Sequence, residues 1–311
     1  MVCFSPQSPN AVVMIRPHHF APNEETAADN MFQRSATTDV SKEAYAACTK
    51  AVETLREKGV RVHVFEDESG LHPDSIFPNN WFSTHSGGRV AVYPMYAASR
   101  RGERRYDVLE FLKEHYRVQE VIDYSGLEQD ALFLEGTGAM VIDHITRIAF
   151  CARSKRCDPL LVERFCTAFG YEPVVFDAVD PNDIPVYHTN VLMCVGTDFA
   201  MVGLSAIVSE ERRNEVTTRL KDSGREVIEL STEQLNSFAG NALELRNDDG
   251  DTFLVISKTG YESLTAEQIA TVEKYAEFVV LDVEPIELAG GSIRCMIASL
   301  HLDPRPSIAQ A

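Results

Sequence analysis

The sequence predicts a single α/β domain, residues 1–311, made of five strand-strand-helix-strand units closed into a ring. Five helix-like stretches recur near 41–58, 103–116, 157–169, 209–223 and 265–276, so the chain repeats one unit. Each stretch is followed by a short β-rich run and then by a segment with the pattern of a hairpin. The last unit has only one strand before the chain ends, and the N-terminal run VVMIRP, 12–17, can supply its partner.

Taken in order, each element has a local cause. Several helices carry apolar residues three or four apart, as in Leu109, Leu112 and Tyr116 or Leu161, Phe165 and Ala168. Gly59, Gly170 and Gly224 stand where a helix C-terminus favours a residue that tolerates positive φ, and Thr265 with Gln268 has capping-box spacing. The β-rich runs are RVHVFED, VQEVIDY, EPVVFDA, REVIEL and FVVLDV. The hairpins are NNWFSTHSGGRVAVYP, FLEGTGAMVIDHITRIAFCA, YHTNVLMCVGTDFAMVGL and NALELRNDDGDTFLVIS; the last contains the Asp-Gly pair of tight turns. The competing arrangement, two α/β domains joined near residue 180 in DAVDPNDIP, is disfavoured because the repeat spacing does not change there.

Composition excludes several function classes. The chain is 44% hydrophobic, ample for a sizeable core, and its formal net charge is −18. That charge repels phosphate backbones and anionic lipid, and SRRGERR at 99–105 is the one basic cluster to set against it, so nucleic acid is not an expected partner. No basic segment leads into a long apolar stretch at the N-terminus, and no later run approaches the roughly 18 apolar residues of a membrane span. A soluble, cytoplasmic protein is expected; a homo-oligomer is compatible with the sequence, which does not fix the oligomeric state. Cys3, Cys48, Cys151, Cys157, Cys166, Cys194 and Cys295 are scattered and contain no CxxC pair, which argues against a disulfide framework and a structural zinc site. All but Cys295 are read as buried thiols or surface accidents.

The repeat also selects residues. Asn80, Glu135, His188, Asn241 and Cys295 begin successive hairpins, at separations of 55, 53, 53 and 54. Equivalent positions in a ring face one axis, so these side chains are expected to converge. The set contains a nucleophile, a base and a carboxylate.

The motifs FPNNWF (77–82), LEGTG (134–138), YHTN (187–190) and GGSIRC (290–295) resemble, in this order, those of the guanidino-group modifying enzymes. This is the pentein superfamily, which includes arginine deiminases, dimethylarginine hydrolases and amidinotransferases. The resemblance implies a five-bladed α/β propeller with a central active site. It also implies Cys295 as nucleophile, His188 as general acid and base, and Glu135 as the partner of His188. No metal or organic cofactor is implied; a zinc site from His18, His19 and a cysteine has poor ligand spacing.

Two departures from the family pattern bear on the substrate. Arginine-processing members carry aspartates where this chain has Asn80 and Asn190. A guanidinium favours carboxylates in bidentate geometry, whereas an asparagine amide both donates and accepts, as a neutral ureido group requires. The expected substrate is therefore citrulline or a close ureido relative, in keeping with the citrulline utilisation hydrolases that the whole sequence, including MIRPHHFAPNEETAADNMFQ, most resembles. The alternatives are an arginine deiminase or dimethylarginine hydrolase, and a non-catalytic amino-acid sensor. An amino-acid substrate needs a cation for its α-carboxylate, for which Arg16 and Arg294 are the candidates. Asn241, Phe77 and Trp81 are expected to line the site. The polar stretch 18–41 is read as a lid.

Overall fold

Val12 and Val13 of the first strand pair antiparallel with Ser299 and Ala298 of the last, so the two ends of the chain meet in one sheet. The computed structural model of the protein describes residues 6–27, 29–34 and 39–306. Cys3 and residues 28 and 35–38 of the expected lid lie outside the described residues.

Five three-stranded mixed sheets are formed, all on one plan. In the first, β1 (Ala11–Pro17) lies between β2 (Arg61–Asp67) and the C-terminal β15 (Ala298–Ser299). The others are β3 (Phe82–His85), β4 (Arg89–Val92) and β5 (Glu120–Asp123); β6 (Met140–Asp143), β7 (Ile148–Ala152) and β8 (Glu172–Phe176); β9 (Met193–Val195), β10 (Phe199–Val202) and β11 (Glu226–Glu229); and β12 (Leu243–Arg246), β13 (Thr252–Ser257) and β14 (Glu277–Leu281). Each central strand runs parallel to the strand that follows the helix and antiparallel to its other neighbour, which is a hairpin partner in four sheets and β15 in the first. The hairpin-leading strands touch between sheets: β15 packs on β3, β6 on β9, and β9 on β12.

The crossover helices form where the apolar spacing places them. Helix Ser41–Glu57 buries Ala44, Cys48, Ala51, Val52 and Leu55 on one face. Leu55 is fully buried, and cutting it to alanine would cost about 2–5 kcal/mol. Asp158 caps helix Pro159–Phe169, Ser209 caps Glu210–Asp222, and Thr265 with Gln268 forms the capping box of Ala266–Val272. Gly59, Gly170 and Gly224 all take positive φ just beyond their helices.

Two local expectations are corrected. The Asp-Gly turn is a five-residue loop between Arg246 and Thr252, held by the Asn247 side chain bonding to Asp251, because Asn247 caps the loop in place of a two-residue turn. The helix expected over 103–116 spans Tyr106–His115, and the basic run before it folds as a 3-10 turn over Ala98–Glu103. In that turn Arg100 and Glu103 point inward as a buried ion pair. Among the described residues no helix is long and apolar enough to cross a membrane.

Candidate active site

Each of the five repeat residues sits in the short turn that leads into a hairpin strand, and all five are buried. Around Cys295 the neighbours are amides. Asn190 Nδ2 donates to Cys295 Sγ at 3.2 Å and Asn241 Nδ2 stands 3.4 Å from the same sulfur. Asn241 is itself fixed, donating to the Asn190 carbonyl at 3.0 Å and accepting from the Arg294 backbone N–H at 3.1 Å. The turn owes its shape to GGSIRC: Gly290 has φ +78°, and a Cβ at Gly291 would fall 2.8 Å from the Phe77 ring.

Around His188 the neighbours are charged. His188 Nε2 meets Glu135 Oε2 at 2.9 Å, which leaves Nδ1 for proton transfer. Gly138 of LEGTG underlies this region, since a Cβ there would stand 2.2 Å from Asn80 Nδ2 and 2.8 Å from His188 Nδ1. Glu135 also accepts from the Tyr96 backbone N–H at 3.0 Å and lies 3.6 Å from both Arg100 and Arg156. Burial alone would raise the Glu135 carboxyl, but Arg156, the His188 hydrogen bond and Arg100 together hold it well below the usual carboxylate range. For His188 the balance goes the other way. Burial lowers its pKa, and Glu135 offsets this only in part, so the resting imidazole is neutral.

Asn80, Phe77, His188 and Cys295 line one cavity of about 270 Å³. Thr26 and Asn30 from the segment expected as a lid line it too, and Asp29 of the same segment pairs with Arg156 at 2.6 Å. Three other expected site residues lie elsewhere. Arg16 pairs with Glu66, its parallel cross-strand neighbour, and stacks on Tyr45, so its charge is already satisfied. Trp81 is fully buried against Phe82 in the core. The Arg294 side chain lines a different cavity, on the far side of the turn from Cys295.

Sequence reasoning missed Arg100, Arg156, Asp74 and Tyr187, which all line the cavity that Cys295 and His188 share. A signal for the two arginines was present: Arg100 follows Asn80 by 20 residues and Arg156 follows Glu135 by 21, offsets that differ by one residue in successive units. Asp74 is held by Asn23 at 2.9 Å and Arg100 at 3.5 Å, and burial raises its carboxyl with Arg100 only partly offsetting. Among the described residues, no group of three or more His, Cys, Asp or Glu side chains is arranged to hold a metal ion.

Five small mixed sheets, with a cysteine, a histidine and a glutamate in equivalent turns, are the α/β architecture of the pentein superfamily. A family model described as N,N dimethylarginine dimethylhydrolase, eukaryotic, matches residues 16–302, and the chain belongs to this family. No curated protein matches the chain. Among solved structures it is similar to the N-terminal domain of ArgZ, an arginine dihydrolase from the ornithine-ammonia cycle in cyanobacteria, at TM-score 0.73 and 18% identity over 94% of this chain and 99% of that one. AgrE in complex with ornithine and NAD+ gives TM-score 0.74 at 16% identity over 96% of this chain and 40% of that one. A dimethylarginine dimethylaminohydrolase adduct with S-methyl-L-thiocitrulline gives 0.60 at 15% identity over 94% and 99%. At these identities the likeness concerns the fold.

Proposed function

We propose that the protein is a cysteine-dependent C–N hydrolase acting on the ureido group of citrulline or a close relative, and that its five sheets are the blades of a closed propeller around the site. The pairing of β1 with β15 and the contacts between hairpin-leading strands support the closed ring. The observation that carries the substrate reading is a pair of buried, uncommitted amide atoms. Among the described residues Asn80 Nδ2, in the cavity wall, has no acceptor, and Asn190 Oδ1, beside the nucleophile, has no donor. One free donor and one free acceptor match the carbonyl and N–H of a ureido group. Among the described residues the one carboxylate lining the cavity, Asp74, already faces Arg100, so none of them offers a free acid to a guanidinium.

In this mechanism Cys295 Sγ attacks the ureido carbon and its proton passes to neutral His188. Asn80 Nδ2 donates to the oxygen as negative charge develops there. His188 returns the proton to the departing amine, the C–N bond breaks, and ornithine leaves a carbamoyl thioester. His188 then takes a proton from water, which attacks the thioester; the sulfur leaves with carbamate as product, and carbamate decomposes to carbon dioxide and ammonia. Glu135 holds the imidazole and balances the charge it gains. Arg16 and Arg294 are not positioned to take an α-carboxylate, and Arg100 and Arg156, which do line the cavity, are committed to Glu103, Asp74, Asp29 and Glu135. Segment 18–34, through Thr26, Asp29 and Asn30, acts as the lid.

Quenching a reaction with citrulline labelled at the ureido carbon should leave one labelled carbamoyl group on the Cys295 peptide, found by mass spectrometry. Label without covalent attachment, in a complex that releases no product, would instead favour the sensor. The guanidino-hydrolase reading rests on the family's description and on the activity named for ArgZ. It would require Arg100 to release Asp74 when substrate binds.

A further inference from the structure

The far side of the Cys295 turn opens into a second cavity of about 550 Å³, which shares no lining residue with the first. Arg294 lines it, with Thr84, His85, His144 and His301. The Arg294 side chain is buried, yet among the described residues it has no carboxylate partner; its one side-chain hydrogen bond is to the Ile297 carbonyl at 3.4 Å. A buried guanidinium without a counter-charge is costly, and such groups are ordinarily paired.

Among the described residues no acid lines the cavity to serve as that partner. Two buried carboxylates sit on the strands that wall it, and both are engaged elsewhere. Asp143 at the end of β6 binds Arg225 at 2.6 and 3.1 Å, and Glu244 on β12 is held by the Ser8 and Thr197 hydroxyls. Cys194 lies near the guanidinium, but burial pushes its thiol up to about 12, so it carries no charge at neutral pH. The imidazoles are neutral as well: burial lowers His85 and His144, and lowers His301 to about 3. His85 is held between Ser83 and Tyr171, and His144 meets the same Tyr171 hydroxyl at 3.1 Å and stacks on His301. The cavity therefore presents one fixed cation among neutral groups: His85 is bonded at both ring nitrogens, and the Thr84 hydroxyl donates to the Ser299 carbonyl at 3.0 Å.

We propose that this cavity is a binding site for a small oxyanion, a phosphate or a short carboxylate, with Arg294 as its principal contact. The site is separate from the substrate cavity and linked to it through one residue. The Arg294 backbone N–H holds Asn241, whose amide touches Cys295 Sγ, so an anion on the guanidinium loads the turn that carries the nucleophile.

The test pairs a crystal of the full chain soaked in sodium selenate with thermal unfolding in phosphate, acetate and chloride at equal ionic strength. The expected results are an anomalous selenium peak within hydrogen-bond reach of the Arg294 guanidinium and a midpoint raised by a few degrees in phosphate or acetate over chloride. That rise should be absent in Arg294→Met. A rise in phosphate alone would identify a tetrahedral anion, and a rise in acetate alone a carboxylate. No peak beside Arg294, a peak confined to the Cys295 cavity, or the same stabilisation in Arg294→Met would overturn the proposal. The soak uses the unaltered protein and decides the matter even if Arg294→Met does not fold.

Discussion

Arg294 and Cys295 are consecutive, yet they face two cavities with opposite electrostatic designs. On the Cys295 side the charges are matched: Glu135 lies between Arg100 and Arg156, Arg156 pairs with Asp29, and Asp74 faces Arg100. The polar atoms left uncommitted there belong to neutral amides. On the Arg294 side a cation lacks an acid among the described residues, and the groups around it are neutral imidazoles. A cavity with matched charges and free amides suits a ligand whose reacting end is neutral, whereas one with an unmatched cation suits an anion. A single turn thus serves both, because successive side chains leave it in different directions.

The largest effect expected from breaking the catalytic side is that of Cys295→Ser. Turnover should fall by at least ~10³-fold while near-ultraviolet circular dichroism stays that of the wild type. Asn80→Asp tests the amide character itself. It presents a lone pair to the ureido oxygen and removes one oxyanion donor, so turnover of citrulline should drop about 10²-fold in steady-state assays; an unchanged rate would remove Asn80 from the mechanism.

The far side should reveal itself through acid stability. His85 is fully buried, with a pKa held below its ordinary value, so below about pH 6.5 the unfolded chain binds a proton that the folded one excludes. Stability contributed this way is complete above that pH and is lost as pH falls toward the folded pKa. Chemical denaturation from pH 7 to 5 should show the loss, and His85→Gln should flatten the slope by up to ~1.4 kcal/mol per pH unit. The smallest effect is that of Arg16→Met. Because Arg16 pairs with Glu66 and not with substrate, KM for citrulline should stay within about twofold of wild type, the scale of a surface ion pair.

The repeat was legible because a ring of like units must space its turns evenly, so the 53–55-residue interval marked Asn80, Glu135, His188, Asn241 and Cys295 without reference to any one motif. Helix limits were legible from caps and glycines, as at Thr265 and Gly170. What could not be read was the direction in which charged side chains turn. Arg100 lies in the basic run SRRGERR, and only the turn over Ala98–Glu103 swings it into the cavity. Arg16 read as a substrate ligand because its partner Glu66, 50 residues away, becomes its neighbour only through the parallel register of β1 and β2. Trp81 adjoins Asn80 in sequence, yet its side chain enters the core beside Phe82.

The central claim concerns which C–N bond is cleaved, and product analysis tests it most directly. Purified protein should be incubated separately with citrulline, arginine and dimethylarginine, with ornithine, citrulline and ammonia measured over time. Ornithine and ammonia from citrulline, with arginine and dimethylarginine left intact, is the predicted result. Conversion of arginine or dimethylarginine to citrulline, with citrulline itself unchanged, would contradict it.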